Sequence, residues 1–253
     1  MEPVYASVIR TAKVLFALEG LKFIRTGSEN IPPTGGAVIA INHTGYMDFT
    51  YAGYAAYDVG RYIRFMAKKE VFDDKVAGPL MRAMKHIPVD RAAGADSYRA
   101  AVDDLRGGEL VGVFPEATIS RSFELKAFKS GAARMALEAQ VPILPVTIWG
   151  SQRVWTKGFP KRLGRTNTPI FVRTGAPIEA VGTPEEITAR LHERMERQLR
   201  EVQDAYGSHP AGEFWVPARL GGGAPTLEEA DRMDAEEAAA KAAARAARKS
   251  GER

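Results

Sequence analysis

Between residues 37 and 206, short apolar runs alternate with segments of helical periodicity, and this alternation constrains the chain more than any other feature. Residues 37–41, 62–67, 110–114, 143–148 and 170–173 read as strands, and residues 97–106 and 127–139 as helices between them. The strongest helix signal is Thr183-Pro-Glu-Glu186, which combines an N-cap Thr, Pro at the first helical position and a capping-box Glu. Ile187, Leu191, Met195, Leu199, Val202 and Tyr206 then recur every three or four residues. This pattern predicts a single α/β domain whose mostly parallel central sheet is flanked by helices, with ligands at the carboxyl ends of the strands.

At 253 residues the chain can bury a sizeable core, and 45% hydrophobic with 26% charged residues exclude disorder, collagen and coiled coil as whole-chain descriptions. Three stretches are expected. Residues 1–30 form an N-terminal amphipathic helix, residues 31–210 the catalytic domain, and residues 211–253 a flexible tail rich in alanine and charge. The breaker cluster Ile31-Pro-Pro-Thr-Gly-Gly36 opens the catalytic domain. After Gly221-Gly-Gly223 the only large apolar residues are Leu227 and Met233, which favours a solvated, fraying helix or disorder.

Residues 4–24 carry Val4, Val8, Ile9, Leu15, Leu18 and Leu21 at near-helical spacing among Arg10, Lys13 and Lys22. Periodicity fits a membrane-associating helix and a core-packing one equally. No window reaches the ~18 consecutive apolar residues of a spanning helix. Glu2 and the interrupting charges argue against a cleaved signal, so the chain is expected as a peripheral or monotopic protein on the cytoplasmic face of the plasma (inner) membrane. The net charge of +4 conceals residues 153–165, which hold Arg153, Lys157, Lys161, Arg162 and Arg165 without an acid, interleaved with Trp155 and Phe159. They suit an anionic lipid surface or form a solvated loop; nucleic acid is not an expected partner. With no cysteine, disulfides, a thiolate nucleophile and cysteine-ligated zinc are excluded.

Asn42-His-Thr-Gly-Tyr-Met-Asp48 follows directly on the 37–41 run, placing His43 at a strand's carboxyl end and Asp48 in the next turn. A carboxylate there can accept the Nδ1 proton of His43 and leave Nε2 free to deprotonate a hydroxyl. The spacing alone fits equally a capping Asp beside an unrelated His. Phe114-Pro-Glu-Ala-Thr-Ile-Ser120 ends another strand and brings Glu116, Thr118 and Ser120 to the same edge. His86-Ile-Pro-Val-Asp-Arg91 supplies Arg91, a guanidinium fork suited to phosphate, and Val141-Pro-Ile-Leu-Pro-Val146 follows. Tyr46, Tyr51, Tyr54, Tyr57 and Tyr62 crowd beside the histidine, as interface rings or as ordinary packing.

In these four blocks, taken in order over residues 35–180, the chain resembles the lysophosphatidate acyltransferases (1-acylglycerol-3-phosphate O-acyltransferases) and their glycerophosphate acyltransferase relatives. H-x4-D looks like His43 to Asp48, I-P-V-D-R like Ile87 to Arg91, F-P-E-G-T-R-S like Phe114 to Ser120, and V-P-I-x-P-V like Val141 to Val146. Ala117 stands where the family usually has Gly, and Ile119 where it usually has Arg. The latter removes a phosphate contact of roughly 1.5 to 3 kcal/mol unless Arg121, Lys126 or Lys129 supplies it.

The resemblance implies transfer of a fatty acyl group from acyl-CoA or acyl-carrier protein to the free hydroxyl of a lysophospholipid, with no metal or organic cofactor. It implies His43 as general base, Asp48 as its orienting carboxylate, and Asn42, Arg91, Glu116, Ala117, Thr118, Ser120, Arg121 and Lys129 as substrate-binding residues. Backbone N–H groups near Gly45, or at Ala117 and Thr118, are candidates for the oxyanion. The expected partners are an anionic membrane surface, the lysophospholipid acceptor and the thioester donor. A different lysophospholipid or glycolipid acceptor, a thioester hydrolase and a non-catalytic lipid-binding scaffold remain as alternatives.

Overall fold

The computed structural model describes residues 2–90 and 94–251, with side chains through residue 244. In chain order the elements are α1 (Pro3–Leu18), β1 (Lys22–Thr26), β2 (Ala37–Ile41), α2 (Asp48–Tyr57), β3 (Ile63–Lys68), α3 (Lys69–Asp73), α4 (Ala77–Ala83) and β4 (Ile87–Val89). They continue with α5 (Gly94–Arg106), β5 (Leu110–Val113), α6 (Gly131–Ala139), β6 (Ile143–Trp149), β7 (Pro169–Thr174), α7 (Pro184–Tyr206) and α8 (Leu227–Gly251).

Among the described residues seven strands form one sheet in the order β1-β7-β6-β2-β5-β3-β4. Every neighbouring pair is parallel except β6 with β7, so β1 and β7 run against the other five. The central strand β2 buries all five residues, as a continuous apolar run covered on both faces must. The carboxyl ends of β2, β5 and β6 therefore open on one edge, the expected place for a ligand. At the start of α7, Thr183 Oγ1 accepts from the Glu186 N–H at 3.2 Å while Glu186 Oε2 accepts from the Thr183 N–H at 2.8 Å. Ile187, Leu191, Met195, Leu199 and Val202 are buried on that helix, as its periodicity predicts.

Three expectations need correction. The N-terminal helix stops at Leu18, and residues 22–26, read as its end, form β1 in register with β7 from Lys22↔Pro169 to Thr26↔Arg173. Covering the open hydrogen-bonding edge of β7 outweighs helical periodicity there, so the sheet begins before residue 31. Second, residues 127–130 are not helical, and α6 begins at Gly131.

Third, the chain divides into two compact units, Met1–Ile119 with Ala127–Gly207, and Ser120–Lys126 with Ser208–Arg253. The first holds the whole sheet. Within the second, Trp215, Val216, Ala224 and Ala230 are buried. Its helix α8 presents acids to the short segment: Arg121 donates to Asp234 at 3.1 Å and to Glu237 at 2.8 Å, and Lys126 lies 2.7 Å from Asp231 and 2.6 Å from Asp234. Of the two alternatives expected after residue 223, the helix is the one found, and α8 is largely exposed. Paired charges and the buried Trp215 nevertheless make the described residues of this stretch part of a small folded unit and not a flexible tail.

Candidate active site

His43 sits two residues beyond the last residue of β2, and Asp48 is the first residue of α2. The intervening loop curls back so that Asp48 Oδ2 lies 3.0 Å from His43 Nδ1. The same oxygen accepts the Thr44 N–H at 2.7 Å and the Gly45 N–H at 2.8 Å. Three donors and a helix N-terminus thus converge on a fully buried carboxylate. A Cβ on residue 45 would lie 2.4 Å from Ser151 Oγ and 2.9 Å from the Trp155 carbonyl, so only glycine permits this loop path. On the other flank the His43 ring stacks on Phe114, with centroids 4.1 Å apart, and the His43 N–H donates to Glu116 Oε1 at 2.7 Å. With Nδ1 facing a carboxylate the neutral ring carries its proton there, which leaves a lone pair on Nε2. Among the described residues Nε2 meets no hydrogen-bond partner.

His43 lines a cavity of about 640 Å³ whose wall is mostly apolar, with Phe49, Phe65, Met81, Val113 and Met135 among its lining residues. His86, to which its sequence context assigns no role, lines it too. Its Nδ1 accepts the Phe65 N–H at 3.1 Å, and burial, reinforced by the Arg64 guanidinium, pushes its pKa down to about 4. Arg64 is itself buried and paired with Glu2 and Glu109. The only signal for His86 in the sequence was its position immediately before a strand at the sheet edge.

The expected substrate-binding residues divide. Ala117 and Lys129 line the cavity with His43, Lys129 exposed. Glu116 is buried and holds the backbone of His43. Thr118 is half-buried in the same loop. Asn42 departs from its expected role: it is 1% exposed, its Oδ1 accepts the Ile148 N–H at 2.7 Å, and its Nδ2 donates to the Ile148 carbonyl at 3.0 Å. Its amide staples the end of β2 to β6 and supports the histidine through the backbone. In the second unit, Ser120 is fully buried and donates to the Glu124 carbonyl, and Arg121 is held by Asp234 and Glu237. Arg91 lies outside the described residues.

Two of the candidate oxyanion donors are occupied. The Gly45 N–H points to Asp48, and the Ala117 N–H closes a turn onto the Phe114 carbonyl at 2.9 Å. The Thr118 N–H has no acceptor among the described residues. Most of the five tyrosines pack rather than face a surface. Tyr51 is fully buried and, with Tyr54, meets Phe16 and Phe23, while Tyr46 is exposed beside Trp155.

A family model described as Acyltransferase matches residues 22–149. The 1-acyl-sn-glycerol-3-phosphate acyltransferase of Bacillus subtilis is 32% identical over 204 residues, covering 79% of this chain and 97% of that protein. The enzyme of the same name from Borreliella burgdorferi is 31% identical over 201 residues, covering 76% of this chain and 77% of it. The crystal structure of PlsC, a 1-acyl-sn-glycerophosphate acyltransferase of Thermotoga maritima, superposes with a TM-score of 0.65 at 24% identity, over 78% of this chain and 79% of that one, a likeness of fold. A strand-end histidine–carboxylate pair on such a sheet, together with these matches, defines an acyl-transfer enzyme: the chain belongs to the acyltransferase family.

Proposed function

We propose that this acyltransferase moves a fatty acyl group from an acyl thioester to the free hydroxyl of 1-acylglycerol-3-phosphate, giving phosphatidate, with Nε2 of His43 as general base. The observation that carries this reading is the His43–Asp48 pair at 3.0 Å opening on an apolar cavity. The names of the relatives support the acceptor. The hydroxyl attacks the thioester carbon as its proton passes to Nε2, and Asp48 stabilises the imidazolium. Collapse of the tetrahedral intermediate breaks the C–S bond, and the imidazolium returns its proton to the departing thiolate. A positioned base of this kind contributes about 10² to 10⁴-fold. The Thr118 N–H is the donor we assign to the oxyanion. Acyl-CoA or acyl-carrier protein supplies the chain, which the apolar cavity holds. No cofactor enters this chemistry, because the thioester is already activated.

Lys129 at the cavity and Arg91 serve the acceptor phosphate in this reading. The exposed Val14, Leu15 and Leu18 of α1, near Arg10 and Lys22, support peripheral attachment to the anionic cytoplasmic leaflet of the plasma membrane. So does the Trp155–Lys161 cation–π pair, at 4.0 Å, with Phe159 and Leu163 exposed nearby. Among the described residues no helix is long and apolar enough to cross a membrane.

The test is release of free CoA from long-chain acyl-CoA with lysophosphatidate, other lysophospholipids or no acceptor, beside His43→Ala. Release that depends on lysophosphatidate and on His43 is expected. Release that needs no acceptor would reassign the enzyme as a thioester hydrolase. One observation favours a second reading with another lysophospholipid or glycolipid as acceptor: Ile119 is buried where the family usually has Arg, and Arg121 is already held by two carboxylates.

A further inference from the structure

The wall of the cavity carries a hydrogen-bond donor that the acyl-transfer step does not use. Phe65 lies where β3 passes from pairing with β5 to pairing with β4, and its N–H donates to His86 Nδ1 at 3.1 Å. Because Nδ1 is the acceptor, the neutral ring carries its proton on Nε2. That N–H meets no acceptor among the described residues. The other buried polar side chain of the lining, Ser97, already donates to the Pro88 carbonyl at 2.8 Å, and Tyr98 to Glu138 at 2.8 Å. Covered by a purely apolar chain, that N–H would be buried without an acceptor at a standing cost, which an acceptor on the occupant removes.

We infer that His86 is a specificity residue of the acyl site, and that its Nε2–H recognises an acyl chain carrying a hydrogen-bond-accepting oxygen, a hydroxyl or a keto group, far from the thioester. This rests on the reading of the cavity as the acyl site. The distance follows from register. Phe65 pairs with Gly112 and Gly112 with Ile39, while His43 lies four residues beyond Ile39. His86 is therefore about 13 Å lower along the strands and about 14 Å across three strand spacings. An oxygen beside the carbonyl would not reach it.

The experiment pairs long-chain acyl-CoAs of equal length, one saturated and one with a distal hydroxyl or keto group, in wild type and His86→Asn. The asparagine keeps an acceptor for the Phe65 N–H and withdraws the far donor. CoA release with lysophosphatidate is measured, and in parallel the displacement of a fluorescent fatty acid by the corresponding free acids. The oxygenated-to-saturated ratio is expected to fall about tenfold in His86→Asn, in both measurements. Equal ratios in the two proteins overturn the inference while leaving acyl transfer standing. A His86-dependent ratio in displacement, with no turnover of any chain, supports the inference and sinks the proposed reaction instead. If the variant does not fold, the wild type decides. The His86 Nε2–H resonance should move with the oxygenated acid and stay put with the saturated one, and an unmoved resonance with both overturns the inference.

Discussion

Two imidazoles line the same cavity, and their Nδ1 atoms do opposite things. At His43 the atom faces a carboxylate, so the proton sits on Nδ1 and Nε2 offers a lone pair. At His86 it accepts a backbone N–H, so the proton sits on Nε2 and the ring offers a donor. In the proposed reaction the first takes a proton and the second keeps one. The difference comes from where each ring stands. His43 lies on a loop beyond a strand end that can fold a carboxylate back under it, whereas His86 stands beside a strand whose amide needs an acceptor. A histidine's chemistry is thus set by the partner of its nearer nitrogen, which the residue type alone does not disclose.

The largest effect should come from removing the lone pair. His43→Ala is expected to lower kcat by about 10² to 10⁴-fold with a measurable loss of stability, since the ring stacks on Phe114 and partners the buried Asp48 carboxylate. Activity within a few fold of wild type, in protein shown to be folded by circular dichroism, would break the distinction between base and donor. Asp48→Asn should cost a comparable factor in kcat while also lowering the melting temperature, because Oδ2 anchors the Thr44 and Gly45 amides as well as the ring. An asparagine whose oxygen stays on those amides keeps it on Nδ1 too and loses only the charge that stabilises the imidazolium, with its NH2 buried where Oδ1 has no partner. Flipped, its NH2 faces Nδ1, forces the imidazole proton to Nε2 and leaves both amides without their acceptor. If Asp48→Asn loses stability but keeps kcat, tautomer control is not what Asp48 provides.

This contrast also marks what the sequence discloses. The sheet was legible because buried parallel strands are continuous apolar runs, and α7 because its cap and period agree. The His43–Asp48 pair was legible because all its parts lie within one short loop. β1 was not, since Lys22, Arg25 and the half-buried Phe23 carry no alternating apolar face strong enough to override the preceding helical period. Nor was the role of Asn42, whose partner Ile148 is 106 residues away. His86 depends on Phe65 across a strand pair and on Arg64 behind it, so its role exists only once the chain is folded. The second unit was missed because an alanine-rich helix signals little by itself. Its stabilising partners, Arg121 and Lys126, lie more than a hundred residues earlier.

The donor side predicts an acid dependence. The folded pKa of His86, about 4, lies below its ordinary 6.5. Between those values the unfolded chain binds a proton that the folded chain refuses, so this contribution to stability is complete above 6.5 and is lost as pH falls toward 4, by about 3 kcal/mol in all. His86→Asn has no such group. Between neutral pH and pH 4, urea unfolding should therefore show the wild type losing about that much stability relative to the variant, with His43 cancelling between them. Curves that stay parallel would mean that the ring is solvated and not held neutral.

The smallest effect sharpens the comparison at the backbone. Each histidine has a left-handed residue nearby: Lys85, with φ 55°, directly precedes His86 as α4 ends, and Ala117, with φ 59°, lies in the loop that places Glu116 under the His43 N–H. At a helix end that conformation is ordinary. At Ala117 nothing in the helix grammar calls for it, and for a residue with a Cβ it costs about 1 to 2 kcal/mol, partly offset in glycine by the greater entropy of the unfolded chain. Ala117→Gly is accordingly expected to raise the free energy of unfolding by about 0.5 to 1 kcal/mol. With the turn onto the Phe114 carbonyl intact, kcat should stay within about twofold, because His43 keeps both of its anchors. A loss of stability would show that the loop is relaxed around alanine. A large change in KM for the acceptor at unchanged stability would instead assign the extra methyl group, which lines the cavity beside His43, to shaping the acceptor's approach.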